Sequence, residues 1–386
     1  MKKNNGFINI LIIFIIILII LVIGILAINV FSDEIELNEE IEEFSNKIAN
    51  TIQTSVDTIS NKIDNKNNIQ SSPSEELNAI LQNVNAADNS NNTENETAAS
   101  NIYFYNQLND WSKIIYIALY NNKENMKSGT YKVQIDESIS ELLKQENGSD
   151  LLEEYYQAAV EAYIYDNPDV FYLDVNNLYI NIETTKKLLS TNYKVYLDNG
   201  KSTSYLSKGY YSKEQIEECE EEIEKVVQKI LENNTGTPYQ RVKGIHDYLV
   251  ENIKYDQTVA KDNIYNIYGA LVEKQCVCEG YAKAYKYLLN KAGIETTLVI
   301  GEAKNSEGET EAHAWNYVKL NDIWYAVDVT WDDPIVIGGG TPSKKSKYKY
   351  FLKGYDTINS DHIPSGFFTE EGKEFKYPDL SQADYD

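Results

Sequence analysis

Two arms of alternating side chains, Ala312–Val318 (AHAWNYV) and Ile323–Val329 (IWYAVDV), flank Asn321-Asp322. Few patterns restrict a fold as tightly as a two-residue hairpin between such arms. If Asn321 and Asp322 form the loop, Leu320 opposes Ile323, and counting back sets Trp315 against Asp328 and His313 against Thr330. Opposed residues share a face, so His313 and Asp328 project from the same side as diagonal cross-strand neighbours, ~7–8 Å apart at the backbone. A loop one residue longer would turn one arm over and separate them. The hairpin therefore predicts an imidazole beside a carboxylate, an arrangement that fixes the ring tautomer and stabilises its cation.

Upstream, Gln275-Cys276-Val277-Cys278-Glu279-Gly280-Tyr281-Ala282 carries two of the chain's three cysteines. From Glu279 to Ala292 the apolar positions Tyr281, Ala284, Tyr285, Leu288 and Leu289 predict a helix, and Gly293 suits its left-handed C-terminal position. Cys278 falls at or just before the N-terminus of that helix, where unpaired N–H groups favour thiolate over thiol. Cys276, on the incoming loop, gains less. Three cysteines make no disulfide framework, and the CxC pair lacks the second CxxC of a typical zinc site. A Cys276–Cys278 bridge would be strained. The residues thus predict Cys278 as nucleophile, His313 as base and Asp328 as orienting acid, with Cys276 a buried small residue. His246 and His362 read as packing or surface residues, Asp332-Asp333-Pro334 as a turn, and Gly338-Gly339-Gly340 as a loop. That glycine run has no lysine in register for a phosphate cradle.

The order VCEGYAKAYKYLLNKAG, then AHAWNYVKLNDIWYAVDVTWDDP, resembles the transglutaminase-like superfamily over residues 239–334, and IHDYLVENIKYD and YFLKGYDTINSDHI resemble its bacterial members. The resemblance implies an α+β fold, a papain-like transglutaminase core in which a nucleophile-bearing helix packs on an antiparallel sheet. It places the family's Cys–His–Asp triad on Cys278, His313 and Asp328. It implies thiol acyl chemistry, on a peptide or protein substrate; no cofactor is implied, and zinc on both cysteines, His313 and Asp328 would need unusual spacing. Relatives include cross-linkers, peptidases, amidases and members without a triad. Hydrolysis is slightly favoured over cross-linking, because nothing in the sequence shows how water would be excluded for an amine. The alternative is a weakly active or non-catalytic envelope scaffold on the same fold.

The remaining chain supplies an expected location. Lys2 and Lys3 precede an apolar run, residues 7–31, in which Ile10–Ile28 has no polar side chain. Such a run rises ~28 Å as a helix, close to the ~30 Å of a bilayer's hydrocarbon core. The lysines predict a cytoplasmic tail (1–6), a transmembrane signal anchor (7–31) and an extracellular remainder, which makes cell-wall or surface protein a plausible substrate class. A juxtamembrane helix and flexible linker are expected over 32–100, an α/β accessory region over 101–232, and the transglutaminase-like domain over 233–386. The boundary is the break at Asn233–Pro238. A formal charge of −25 argues against a nucleic-acid partner.

Overall fold

The computed structural model of the protein describes residues 102–187, 190–305, 308–333, 346–365 and 375–386. The expected tail, membrane span and linker, and the glycine run at 338–340, lie outside the described residues. Among those described, no helix is long and apolar enough to cross a membrane.

The first half is helical with a small sheet. Helix α1 spans Asp110–Asn121, and the Asn109 side chain accepts from Ser112 N–H and caps it there. Helix α2 spans Gly148–Asp166 and packs on α1. Strands β1 (Val133–Gln134), β2 (Tyr179–Lys187) and β3 (Ser190–Asp198) form an antiparallel sheet in the order β1-β3-β2. Val170–Leu173, which reads as a strand in the sequence, is a turn with a single bridge from Leu173 to Leu206. Its apolar side chains are buried without a ladder to join. Helix α3 spans Lys213–Asn233 and buries Ile216, Cys219, Ile223, Val227 and Ile230, one stripe on an otherwise acidic helix.

After the break, Thr237 and Gln240 form a reciprocal capping box that starts α4, Pro238–Asn252. The helix ends at Asn252, and Lys254–Tyr255 (β4) then pairs in parallel with Gln275–Cys276 (β5). Helix α5, Cys278–Lys291, follows directly, and Gly293 closes it at φ 72°. Four strands lie beside it: β6 (Thr296–Lys304), β7 (Thr310–Leu320), β8 (Ile323–Val327) and β9 (His362–Pro364). They form an antiparallel sheet in the order β8-β7-β6-β9. The α5 face Tyr281, Ala284, Tyr285, Leu288, Leu289 is buried, and Asn316 of β7 donates from Nδ2 to the Ala282 carbonyl at 2.9 Å. A helix packed on an antiparallel sheet is thus the observed core. One apolar cluster runs from Phe104 through α5 to Phe375.

The β7–β8 hairpin turns where the sequence says. Asn321 and Asp322 both have positive φ (52° and 62°), as a two-residue turn of this hand requires, and Leu320 faces Ile323. The ladder ends at Asn316–Val327, so the expected pair of His313 with Thr330 does not form. Asp328 leaves the strand to cap a short helix, α6 (Val329–Asp332), and His313 instead lies opposite Gly301 on β6.

Candidate active site

Each of the three residues singled out in the sequence is placed by a different element. Cys278 is the first residue of α5 and is half-buried, so its sulfur sits at the positive end of a fourteen-residue helix. His313 is on β7, 5 % exposed, and Asp328, fully buried, is the residue between β8 and α6. His313 Nε2 is 2.8 Å from Asp328 Oδ2. With Nε2 committed there, Nδ1 is the ring nitrogen left for the Cys278 sulfur, which lies near enough to favour the His313 cation.

The electrostatics follow from these contacts. Burial works against the His313 cation, but the Asp328 carboxylate, and after it the Cys278 sulfur, outweigh burial and push His313 up to about 10. Burial alone would raise Asp328; His313 and then His362 hold its carboxyl well below the usual range. Its other oxygen, Oδ1, accepts from the N–H groups of Thr330 and Trp331 at 2.9 and 3.1 Å. One carboxylate therefore caps α6 and orients the imidazole. Aromatic rings wall off the pair: Trp331 lies 5.1 Å and Trp315 6.0 Å from the His313 ring, centroid to centroid.

Cys276 is fully buried, and burial pushes its thiol well up, as for an inert packed cysteine. Any side chain at Gly280 would strike it, since an added Cβ would lie 2.5 Å from the Cys276 Cβ. His246 is fully buried in α4, with Nε2 3.1 Å from Asp332 Oδ2, so it ties α4 to the far end of α6. Asp333 accepts from the Tyr281 hydroxyl at 2.6 Å and ties the same turn to α5. Asp332 thus ends α6 and Asp333 follows it, each carboxylate committed to a structural partner, while Pro334 of the expected turn lies outside the described residues.

Two residues near the site carry no local sequence signal for a role there. Tyr255 lies across from Cys276 in the β4–β5 pair; burial, then the charge of Cys278, push its hydroxyl up to about 12. That hydroxyl makes no hydrogen bond among the described residues. His362 is on strand β9 and not in a loop, 1 % exposed, with Nε2 3.1 Å from Asp328 Oδ2. His313, Asp328 and His362 bring ligand-type atoms within 4.8 Å of one another. All of these atoms are already joined in hydrogen bonds through Asp328 Oδ2, so the set is complete as a proton-sharing cluster.

Residues 224–329 match the model of the transglutaminase-like superfamily core, and the chain carries a transglutaminase-like domain over that span. Members of this superfamily are cysteine peptidases or acyltransferases. The match begins inside α3, upstream of the break at 233–238. The chain is similar to human kyphoscoliosis peptidase, 27% identical over 157 residues that make up 37% of this chain and 23% of the relative. The mouse protein of that name is 28% identical over 140 residues, 32% of this chain and 21% of its own length. The chain thus spans less than a quarter of either relative. A crystal structure of a TGase aligns at 18% identity and a TM-score of 0.28, covering 45% of this chain and 50% of that one.

Proposed function

We propose that the protein is a membrane-anchored, outward-facing thiol acyl-transfer enzyme with Cys278 as nucleophile, His313 as acid and base, and Asp328 as the orienting acid. The observation that carries this reading is the meeting of a helix-start cysteine with a buried histidine held 2.8 Å from a fully buried carboxylate. Cys278 passes its proton to His313, and the sulfur attacks a peptide or amide carbonyl. The tetrahedral oxyanion is met by the Cys278 N–H, and the Tyr255 hydroxyl, which feels the charge of Cys278, is the side chain proposed to assist it. As it collapses, His313 returns the proton to the departing amine, leaving a thioester on Cys278. Water then attacks while His313 takes its proton, the thiol is released and an acid is formed; an amine in place of water gives a transferred amide. Hydrolysis is the favoured outcome, and cell-wall or surface protein the favoured substrate, from the expected location of residues 32–386. The superfamily match over 224–329 and the partial likeness to a peptidase support thiol chemistry.

The test needs no known substrate. Iodoacetamide labelling of the full chain across pH, with the adduct mapped, should modify Cys278 quickly in the wild type and slowly in His313→Ala. Equal, slow labelling of Cys219, Cys276 and Cys278 would sink the nucleophile and hand the fold to the scaffold reading. Acyl-donor peptides with and without a primary amine then divide hydrolysis from transfer.

A further inference from the structure

A second histidine meets the same carboxylate oxygen. His362 opens β9, whose pairing with β6 sets Ala303 against His362 and Gly301 against Pro364. The strand turns His362 inward and leaves Ile363, the next residue, 59 % exposed. Gly301 makes the approach of β9 possible: a Cβ there would lie 2.2 Å from the Ile363 carbonyl oxygen and 2.9 Å from the Pro364 Cα. The strand is thereby held close enough for His362 Nε2 to reach Asp328 Oδ2 at 3.1 Å, beside His313 Nε2 at 2.8 Å on that oxygen.

The far end of the ring is held as well. His362 Nδ1 is 2.7 Å from Asp361 Oδ1, and Asp361 Oδ2 accepts from the Tyr350 hydroxyl at 2.8 Å. The Tyr350 backbone closes the loop, with its N–H donating to Asp332 Oδ1 and its carbonyl accepting from Asp328 N–H. Trp331 and Trp315 pack edge-on to the ring, at 4.6 and 5.0 Å between centroids. A side chain present only to fill space needs none of these polar contacts. Packing alone does not explain why both ring nitrogens meet carboxylates, one of them the residue that holds His313.

We propose that His362 is a positioning residue for the triad, fixing the rotation of Asp328 by donating its Nε2–H to the oxygen that also serves His313. The proposal rests on the reading of Cys278 and His313 as nucleophile and base. Asp328 can hold the His313 ring at one angle only if its own carboxylate plane is fixed. The two backbone N–H groups on Oδ1 leave that plane a residual rotation, and the second imidazole on Oδ2 removes it. His362 also divides the charge of one carboxylate between two rings, so His313 is not bound so strongly as an ion that it cannot return its proton.

The test sets donor against shape in the full chain. His362→Phe keeps an aromatic ring among Trp315, Trp331 and Tyr350 but removes the donor; His362→Gln supplies an amide N–H that reaches Oδ2 and fills the space less well. With both variants shown folded by thermal melting, Cys278 alkylation should stay within about threefold of wild type in His362→Gln and fall about tenfold or more in His362→Phe. The reverse order, or two unaffected variants, overturns the proposal while leaving rapid, His313-dependent alkylation in the wild type to uphold the nucleophile. Slow, His313-independent alkylation in the wild type removes the reading beneath it. If both variants lose reactivity, the wild-type chain decides by NMR of the three nitrogen-labelled histidines. The ring N–H protons of His313 and His362 should both exchange slowly with solvent and both shift in Asp328→Asn; an unshifted His362 signal overturns the proposal.

Discussion

At the scale of single residues, the cysteine, histidine and aspartate were legible because each carries a local signal: a helix start, an inward strand position and a hairpin register. Tyr255 and His362 were not, because what brings them to the site is pairing between distant segments, β4 with β5 and β9 with β6. No periodicity in one stretch reports a partner so far along the chain. Two expectations belong here. Tyr255→Phe should slow turnover of any accepted acyl donor by about 10²–10³, the usual loss for one oxyanion donor, yet leave iodoacetamide labelling of Cys278 unchanged, since alkylation builds no oxyanion. An equal effect on both reactions would remove Tyr255 from that role. The second concerns pH. His313 is raised from its ordinary 6.5 to about 10, so the free energy of its pairing with Asp328 is fully present below about 6.5 and is lost as pH rises through about 10. Turnover, which needs a protonated His313 for the leaving group, should fall through that upper region while alkylation does not; a rate profile flat to pH 11 would contradict it.

At the scale of elements, the sequence was most informative where one stretch closes on itself. The Asn321-Asp322 turn and the Gly293 stop are both contained within a few residues, whereas the Thr237 cap falls in what reads as a break. It was least informative where tertiary context decides, as at Val170–Leu173, whose apolar run finds a buried turn and not a sheet. The hairpin count was right about the face shared by His313 and Asp328, although the ladder stops at Val327 and the last step is made by a capped turn. The corresponding prediction is at Gly301. Gly301→Ala should cost about 1–3 kcal/mol in chemical denaturation, because the new methyl meets β9 backbone that cannot swing aside. It should also reduce Cys278 alkylation by drawing His362 away from Asp328. A variant of wild-type stability and reactivity would show that β9 yields at no cost.

At the scale of the whole molecule, the described residues share one continuous apolar cluster across the break at 233–238, and a buried ion pair crosses it too. Lys286 of α5 is fully buried, 3.8 Å from Asp166 Oδ1 at the end of α2, and donates to the Asp166 carbonyl at 3.1 Å. Burial pushes Lys286 down to about 8 and Asp166 up to about 6, so holding both charges inside costs free energy that the surrounding hydrogen bonds offset. We propose that the accessory region 101–232 and the domain 233–386 are regions of sequence that stand on one another. Lys286→Met, which strands a buried carboxylate, should lower stability by about 3–5 kcal/mol in a single cooperative denaturant transition. Two separate transitions, with only the earlier one shifted, would favour independent folding. No local pattern announces this pair, since a lysine on a helix reads as a surface residue until its partner is known.

Asp166 has one more set of contacts. Its two carboxylate oxygens accept the N–H groups of Phe104 and Tyr105, at 3.1 and 2.9 Å, where the described chain begins. Any displacement of residues 104–105 would therefore pass through one carboxylate to Lys286, and so to the helix that starts with Cys278.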